Sequence, residues 1–339
     1  MMNPLIKQKP AFCNSTLLLG LVCFVLGMGT GVSVGLMVGV VESSNGFAKC
    51  KVSCTKCPGR SEHWNAINVY HGPIETLPLE SATFQQNYLV KGSQADQDQV
   101  VMALTSDLPG PKYFVDLAAN DAIQLSNTLQ LESSKTQKWN GLCIEPNPLY
   151  WYRLAHRKCT VVGAYVGGSD NVKVQVSLGN EAFGGIIDEG MENAPGKRHH
   201  ADKTKKVLIE DRFVVSVNSV FEVYGVPPII DYLNLDVEGA EFLVMEEFDF
   251  SRYTFRILTV ERPKKELVEL LTKNGYVFVM LLVRWGETLW VHKSFLDKWP
   301  SMDEIKKVVK RVSPVHASTE YSQGMRVWNM DQGDYYTVK

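Results

Sequence analysis

Four short apolar runs in this chain stop on or beside an acid: Val115-Asp116-Leu117-Ala118-Ala119-Asn120-Asp121, Ile144-Glu145-Pro146-Asn147-Pro148, Asn234-Leu235-Asp236-Val237-Glu238-Gly239-Ala240-Glu241 and Val260-Glu261-Arg262-Pro263. A carboxylate in such a place can accept from both hydroxyls of a ribose, take a proton from a hydroxyl, or ligate a hard divalent cation. It can also do no more than cap a helix or shape a turn. Asp116 and Glu145 lie on consecutive runs, 29 positions apart (145 − 116). That arrangement suits an α/β sheet holding a ribose-bearing cofactor at the carboxyl ends of its strands.

The runs that carry the acids read as strands, and the segments between them as helices. Tyr113–Leu117 is strand one, followed by a turn and a helix around Leu125–Glu132. Leu142–Glu145 is strand two, and Asn147 then caps a helix with Pro148 at its first position, where a missing N–H costs nothing. Thr160–Gly163, Ile229–Asp236 and Phe255–Glu261 are strands three to five. Ala240, Leu243, Val244 and Phe248 share one face of the helix after strand four. The next helix shows Leu267, Leu270 and Leu271, with Lys273 in its last turn and Gly275 just past its end. Between about 170 and 215 the rhythm lapses into Val172–Val176, a glycine-bearing loop and a hydrophilic stretch.

Tyr276–Val283 and Thr288–His292 are separated only by Arg284-Trp285-Gly286-Glu287. No crossover helix fits there, so that pair must be antiparallel. Ser301 and Glu304 form a capping box for a last helix with Ile305, Val308, Val309 and Val312 inward, and Tyr335–Lys339 reads as a tail.

From about Tyr113 to His292 the chain resembles the FkbM family of S-adenosylmethionine-dependent methyltransferases. The resemblance rests on Asp116–Asp121, Gly141–Pro148 and, most specifically, Leu235-Asp236-Val237-Glu238-Gly239-Ala240-Glu241. It implies an α/β, Rossmann-like sheet of seven strands with the last hairpin antiparallel, and O-methyl transfer, commonly onto sugar hydroxyls. The expected acceptor is therefore a hydroxyl-bearing small molecule or a glycan. The cofactor loop of such enzymes normally carries glycines two, four and six residues after the first acid. Here those positions are Ala118, Asn120 and Ala122; Asn tolerates positive φ, and Ala adds only a methyl group.

On this reading Glu145 accepts both ribose hydroxyls of S-adenosylmethionine, with Pro146 beside it. Asp116, Ala118, Asn120 and Asp121 line the methionine end through side chains and the N–H groups of Ala119–Asp121, and the following helix N-terminus favours the donor's carboxylate. Asp236 or Glu238 is the base that takes the acceptor's proton. Alternatively Asp236 and Glu261 hold a divalent metal that polarises a sugar diol. Glu241 also suits a helix start. The segment Glu181–Glu189 would close over adenine or acceptor.

Outside this region the composition excludes little. Charged residues are 21% and net charge is −2, so nothing points to nucleic acid. Thr16–Val41 carries no charge, longer than the apolar part of a cleaved signal peptide and enough to span a bilayer. The expected organisation is a cytosolic tail (1–15), a transmembrane signal anchor (16–41), a stem (42–108) with one helix near Gln97–Leu104, the methyltransferase-like domain (109–295), and a C-terminal helix and tail (296–339). Lys7 and Lys9 before the anchor favour a cytosolic N-terminus, which leaves the C-terminal domain lumenal or extracellular and the sequon Asn14-Ser15-Thr16 bare. Gly27, Gly31, Gly35 and Gly39 recur every four residues, a stripe on which two anchors could self-associate.

Cys50, Cys54 and Cys57 have the spacing of an iron–sulfur triplet, but not its context at the start of a barrel. With His63 they could bind zinc; in an oxidising lumen disulfides are favoured. The basic run Lys197–Lys206 suits either an acidic ligand or a solvated loop, and His292 suits a structural place on its strand. Two rivals to the methyltransferase remain. One is an inactive homologue serving binding or trafficking, its loop altered at Ala118 and Ala122. The other, a nicotinamide dehydrogenase, is disfavoured by the terminal hairpin and the missing glycine fingerprint.

Overall fold

Seven strands form the sheet that carries the acids: Lys112–Leu117 (β1), Trp139–Ile144 (β2), Thr160–Val162 (β3), Ile229–Leu235 (β4), Thr254–Glu261 (β5), Tyr276–Leu281 (β6) and Glu287–His292 (β7). Their order in the sheet is β6-β7-β5-β4-β1-β2-β3. Pairing is parallel from β5 through β4, β1 and β2 to β3, and antiparallel where β7 joins β5 and β6. The computed structural model that shows this describes residues 40–43, 46–49, 60–61, 63–65, 93–177, 184–187, 209–313 and 321–339.

Strand alternation sets two faces. Register places Phe114, Tyr232, Ile257 and Val291 in a row across β1, β4, β5 and β7. These residues pack with Val100, Val101 and Leu104 of the helix Gln97–Leu104 (α1) and with Ile305 and Val309 of the helix Met302–Val312. The same face, two residues further along each strand, turns polar: Asp116, Asn234, Thr259 and then Asp236, Glu261 and Glu287. The apolar part of the face anchors the helices, and the polar part becomes the site. On the other face Leu117, Leu142, Leu233, Leu235, Leu258 and Val260 are buried.

The chain divides into two compact units, Met1–Ile67 and Asn68–Lys339. The second reaches well beyond 109–295, because α1 and the last helix bury their apolar faces in its core. In the first, Val40–Ser43 pairs with Gly46–Lys49, and Arg60–Ser61 with Trp64–Asn65, both antiparallel. Val40 and Val41, expected at the end of the anchor, thus lie on a strand, which β-branched residues favour. The rest of the anchor with its glycine stripe, together with Cys13, Cys23, Cys50, Cys54, Cys57 and Lys197–Lys206, lies outside the described residues. Among those that are described, no helix is long and apolar enough to cross a membrane.

Several local expectations need revision. The helix after β1 spans Leu129–Ser133 (α2) rather than starting near Leu125, because Leu125 adopts φ 57°, which breaks a right-handed helix. Residues 170–215 hold strands the rhythm did not reveal. Lys173–Ser177, Gly185–Ile186, Ile209–Ser216 and Tyr165–Gly167 make a four-stranded sheet. Gly185 and Ile186, read as part of a closing loop, are therefore on a strand; the rest of Glu181–Glu189, save Gly184 and Ile187, lies outside the described residues. The tail is a strand, Asp334–Thr337, paired with Arg326–Asn329. His292 caps the short helix Lys293–Leu296 through Nδ1.

Cys143 on β2 and Cys159, just before β3, form a disulfide with Cα atoms 6.0 Å apart and a sequence separation of 16. Closing a loop of that size removes unfolded-chain entropy corresponding to about 3 kcal/mol. Cys143→Ala combined with Cys159→Ala is expected to lower unfolding free energy by about that amount in urea titrations of the full chain. An unchanged midpoint would show that the bond contributes nothing.

Candidate active site

The loop after β1 is built around two acids whose oxygens are already engaged. Asp116 is 1% exposed. Thr128 Oγ1 donates to one of its oxygens at 2.5 Å, and Asn234 Nδ2 to the other at 2.8 Å. Burial holds the Asp116 carboxyl above the usual range, opposed by the Thr128 bond and the Arg157 guanidinium. Arg157 in turn donates to Thr128, Ser126 and Glu132. Asp121 accepts from the N–H groups of Ile123 and Gln124 and from both Nε and Nη2 of Arg153. Asp116 and Asp121, which the sequence sets at the methionine end, thus hold the loop in place.

The N–H groups of Ala119, Asn120 and Asp121 are engaged too, by Ile144 O, Glu145 Oε2 and Asn120 Oδ1. The following helix, α2, has only five residues and starts at Leu129, so it offers little dipole to a carboxylate near Asn120. Of the three positions where glycine was looked for, only Asn120 has positive φ, 54°. Ala118 and Ala122 take ordinary backbone angles, and Ala122 is packed in the core. Of the three glycine positions, the loop therefore needs conformational freedom at Asn120 alone. Asn120→Gly is expected to leave stability nearly unchanged, whereas Asn120→Ala costs roughly 1–2 kcal/mol, measured by thermal melts.

Glu145, directly after β2, is 4% exposed. Its two oxygens accept from the N–H groups of Asn120 and Asn147, both at 2.7 Å. Burial pushes its carboxyl up to about 7, and the two N–H donors pull it back. A carboxylate has about four acceptor positions, so about two remain on Glu145. Two buried polar atoms, Asn147 Nδ2 and Tyr165 Oη, have no hydrogen-bond partner among the described residues. Asn147 reaches Glu145 through its backbone N–H, and the Tyr165 hydroxyl, pushed up to about 12 mainly by burial, also feels the charge of Glu145. An unpaired hydroxyl within the field of a carboxylate with spare acceptor positions suits a diol, whose hydroxyls donate and accept at once. The site therefore fits a ribose. Pro146 adds a half-buried apolar ring next to it. Sequence reasoning missed Tyr165, whose only signal was a short apolar run after Gly163.

The second group of acids gathers at the carboxyl ends of β4 and its neighbour β5. Asp236 N–H donates to Leu117 O at 2.9 Å, so the end of β4 is tied to the start of the cofactor loop. Glu238 takes φ 56° and Gly239 φ 96°, a sharp turn that brings Glu238 back towards the strand ends. Carboxylate oxygens of Asp236, Glu238 and Glu261 lie within 4.8 Å of one another. Arg262 contacts Glu261 and lies 3.8 Å from Glu238. Asp236 is held well above the usual carboxylate range by burial and by the charges of Glu238 and Glu287, although a hydrogen bond with Glu261 opposes this. Glu241 stands apart: it accepts from the N–H groups of Val237 and Gly239 and shapes the turn into the short helix Glu241–Met245.

Glu287 belongs to this group although no motif marked it. Being the first residue of β7, it sits directly across from Glu261. It is 2% exposed, and its carboxyl is pushed up to about 8 by burial and by Glu261. The arrangement combines a buried carboxyl with spare acceptor positions, Glu145, and a cluster of carboxyls able to hold and exchange protons, both at the carboxyl ends of parallel strands. No curated protein and no solved structure matches the chain. Residues 116–278, from the acid of β1 to the middle of β6, match the family model of the methyltransferase FkbM domain.

Proposed function

We propose that the chain is an S-adenosylmethionine-dependent O-methyltransferase acting on a hydroxyl of a glycan or another metabolite of the secretory pathway. The observation that carries this reading is the family match over a sheet whose ends bring Glu145 and the Asp236–Glu238–Glu261 cluster to one edge. Bound in this site, the cofactor would supply an electrophilic methyl group on a sulfonium sulfur.

The chain's own residues then have separate tasks. Glu145, with Asn147 and Tyr165, holds the ribose diol and so fixes where the methyl group points. Orientation of this kind can lower a barrier by roughly 7–11 kcal/mol. Asp236 and Glu261 share a hydrogen bond, so one carboxyl of the pair can stay anionic and take the proton of the acceptor hydroxyl. Glu238 lies at the same place and offers a second base.

The disulfide Cys143–Cys159 supports a lumenal or extracellular compartment, since such bonds persist in oxidising surroundings. The charge-free segment from Thr16 supports membrane anchoring, and its glycine stripe supports a homodimer. A second reading, a methyltransferase-like domain used for binding or trafficking, draws on the alanines in the cofactor loop. Calorimetry of the full chain in detergent with S-adenosylmethionine separates the two. Micromolar binding, followed by transfer of labelled methyl to a panel of free sugars and glycans, supports the enzyme. Absence of any binding removes it.

A further inference from the structure

We infer that Asp236, Glu238 and Glu261 bind a hard divalent cation beside Glu287, the cross-strand neighbour of Glu261, and that this ion positions the oxygen of the methyl acceptor. The ion's role in transfer rests on the function proposed above; the site itself does not.

Geometry is the first support. The three side chains come from the end of β4, the turn behind it and the end of β5, yet their oxygens lie within 4.8 Å of one another. Oxygens bound to one cation at about 2.0–2.6 Å fall roughly 3–5 Å apart, neighbouring ones nearer and opposite ones farther. An all-carboxylate set selects magnesium, manganese or calcium over softer metals.

Glu287 is the second and independent support. Strand alternation puts it on the same face as Glu261, its direct cross-strand partner. Ionising both would set like charges directly opposite one another, which destabilises a sheet. Its carboxyl is bonded to Thr259 and Gln97, but Oε1 is buried with no hydrogen-bond partner among the described residues. Leaving a buried carboxyl oxygen unpaired is costly, and a cation beside it removes that cost. Arg262 lies against Glu261 and Glu238 at one side of the cluster. A dication would displace the proton that Asp236 and Glu261 share and leave coordination positions for an acceptor hydroxyl, whose proton a carboxylate oxygen turned away from the ion takes.

Manganese titrated into the full chain in detergent, with the free ion followed by electron paramagnetic resonance, tests the site. One ion per chain is expected, with a dissociation constant of roughly 10⁻⁵–10⁻³ M. Glu261→Gln should weaken binding at least tenfold and Glu287→Gln at least threefold, while Glu304→Gln, on the last helix, should leave it unchanged. Failure of the unaltered chain to bind manganese at several millimolar overturns the inference, as does binding that neither variant weakens. The unaltered chain decides even if a variant does not fold. Cofactor titration of the same samples keeps the two readings apart. Manganese binding without S-adenosylmethionine binding upholds the site and removes the methyltransferase; the reverse upholds the methyltransferase and removes the site.

Discussion

Glu145→Gln is expected to weaken the proposed S-adenosylmethionine binding by roughly 10- to 100-fold, since hydrogen bonds to a charged group contribute about 1.5–3 kcal/mol and each 1.4 kcal/mol is about tenfold in affinity. The substitution keeps the shape of the side chain and one acceptor oxygen. Its amide nitrogen must then face either the Asn120 or the Asn147 N–H, both of which now donate to Glu145. The loop and the ribose site are therefore disturbed together. A pH dependence accompanies the loss. The carboxyl of the unliganded chain sits at about 7. Ribose hydroxyls donating to the anion favour the deprotonated form, so affinity is full above that value and falls as pH drops through it. The limit is about tenfold per pH unit. Calorimetry at pH 6, 7 and 8 reads both effects, and Glu145→Gln should flatten the profile. Affinity that ignores pH, together with a variant that binds normally, would remove Glu145 from the ribose site.

Asp236→Asn and Glu238→Gln each lower kcat by about 10²–10⁴-fold, the range of a positioned general base, with a smaller change in KM. Both variants conserve volume at a turn with strained backbone, so folding survives and the loss reports chemistry. The profile of kcat against pH provides the sign. Asp236 is held well above the usual carboxylate range. It must lose its proton before it can take one from the acceptor, so turnover rises with pH through the titration of the Asp236–Glu261 pair. Asp236→Asn should move that limb. Full turnover in both variants would mean that neither carboxyl is the base.

Local signals proved readable where a single residue type meets a single geometric need. Asn147 caps its helix through the Leu149 N–H, Ser301 caps the last helix through the Glu304 N–H, and the four-residue turn forces an antiparallel β6–β7 pair. Asn120 carries the positive φ of the cofactor loop. Capping is contained within three or four residues, so the sequence holds all the information it needs. The strand Ile209–Ser216 was obscured because Glu210-Asp211-Arg212 interrupts its alternation and its partners lie more than thirty positions upstream. The capping box at Ser301 was only half right, since Glu304 pairs with Lys307.

The acids at the strand ends, the α/β rhythm and the closing hairpin are dictated by the amino-acid order alone, because hydrophobic period and turn chemistry are written in adjacent residues. The division of tasks among those acids is set only by long-range pairing. Asp116 is engaged by Asn234 from 118 positions away, and Glu145 by Asn120 from 25. Glu287, placed in a turn by its neighbours, enters the carboxyl cluster because register sets it across from Glu261. A strand's pattern fixes the face on which a side chain emerges; its partner on that face, and with it the charge and solvation that set its chemistry, is decided when the strands pair.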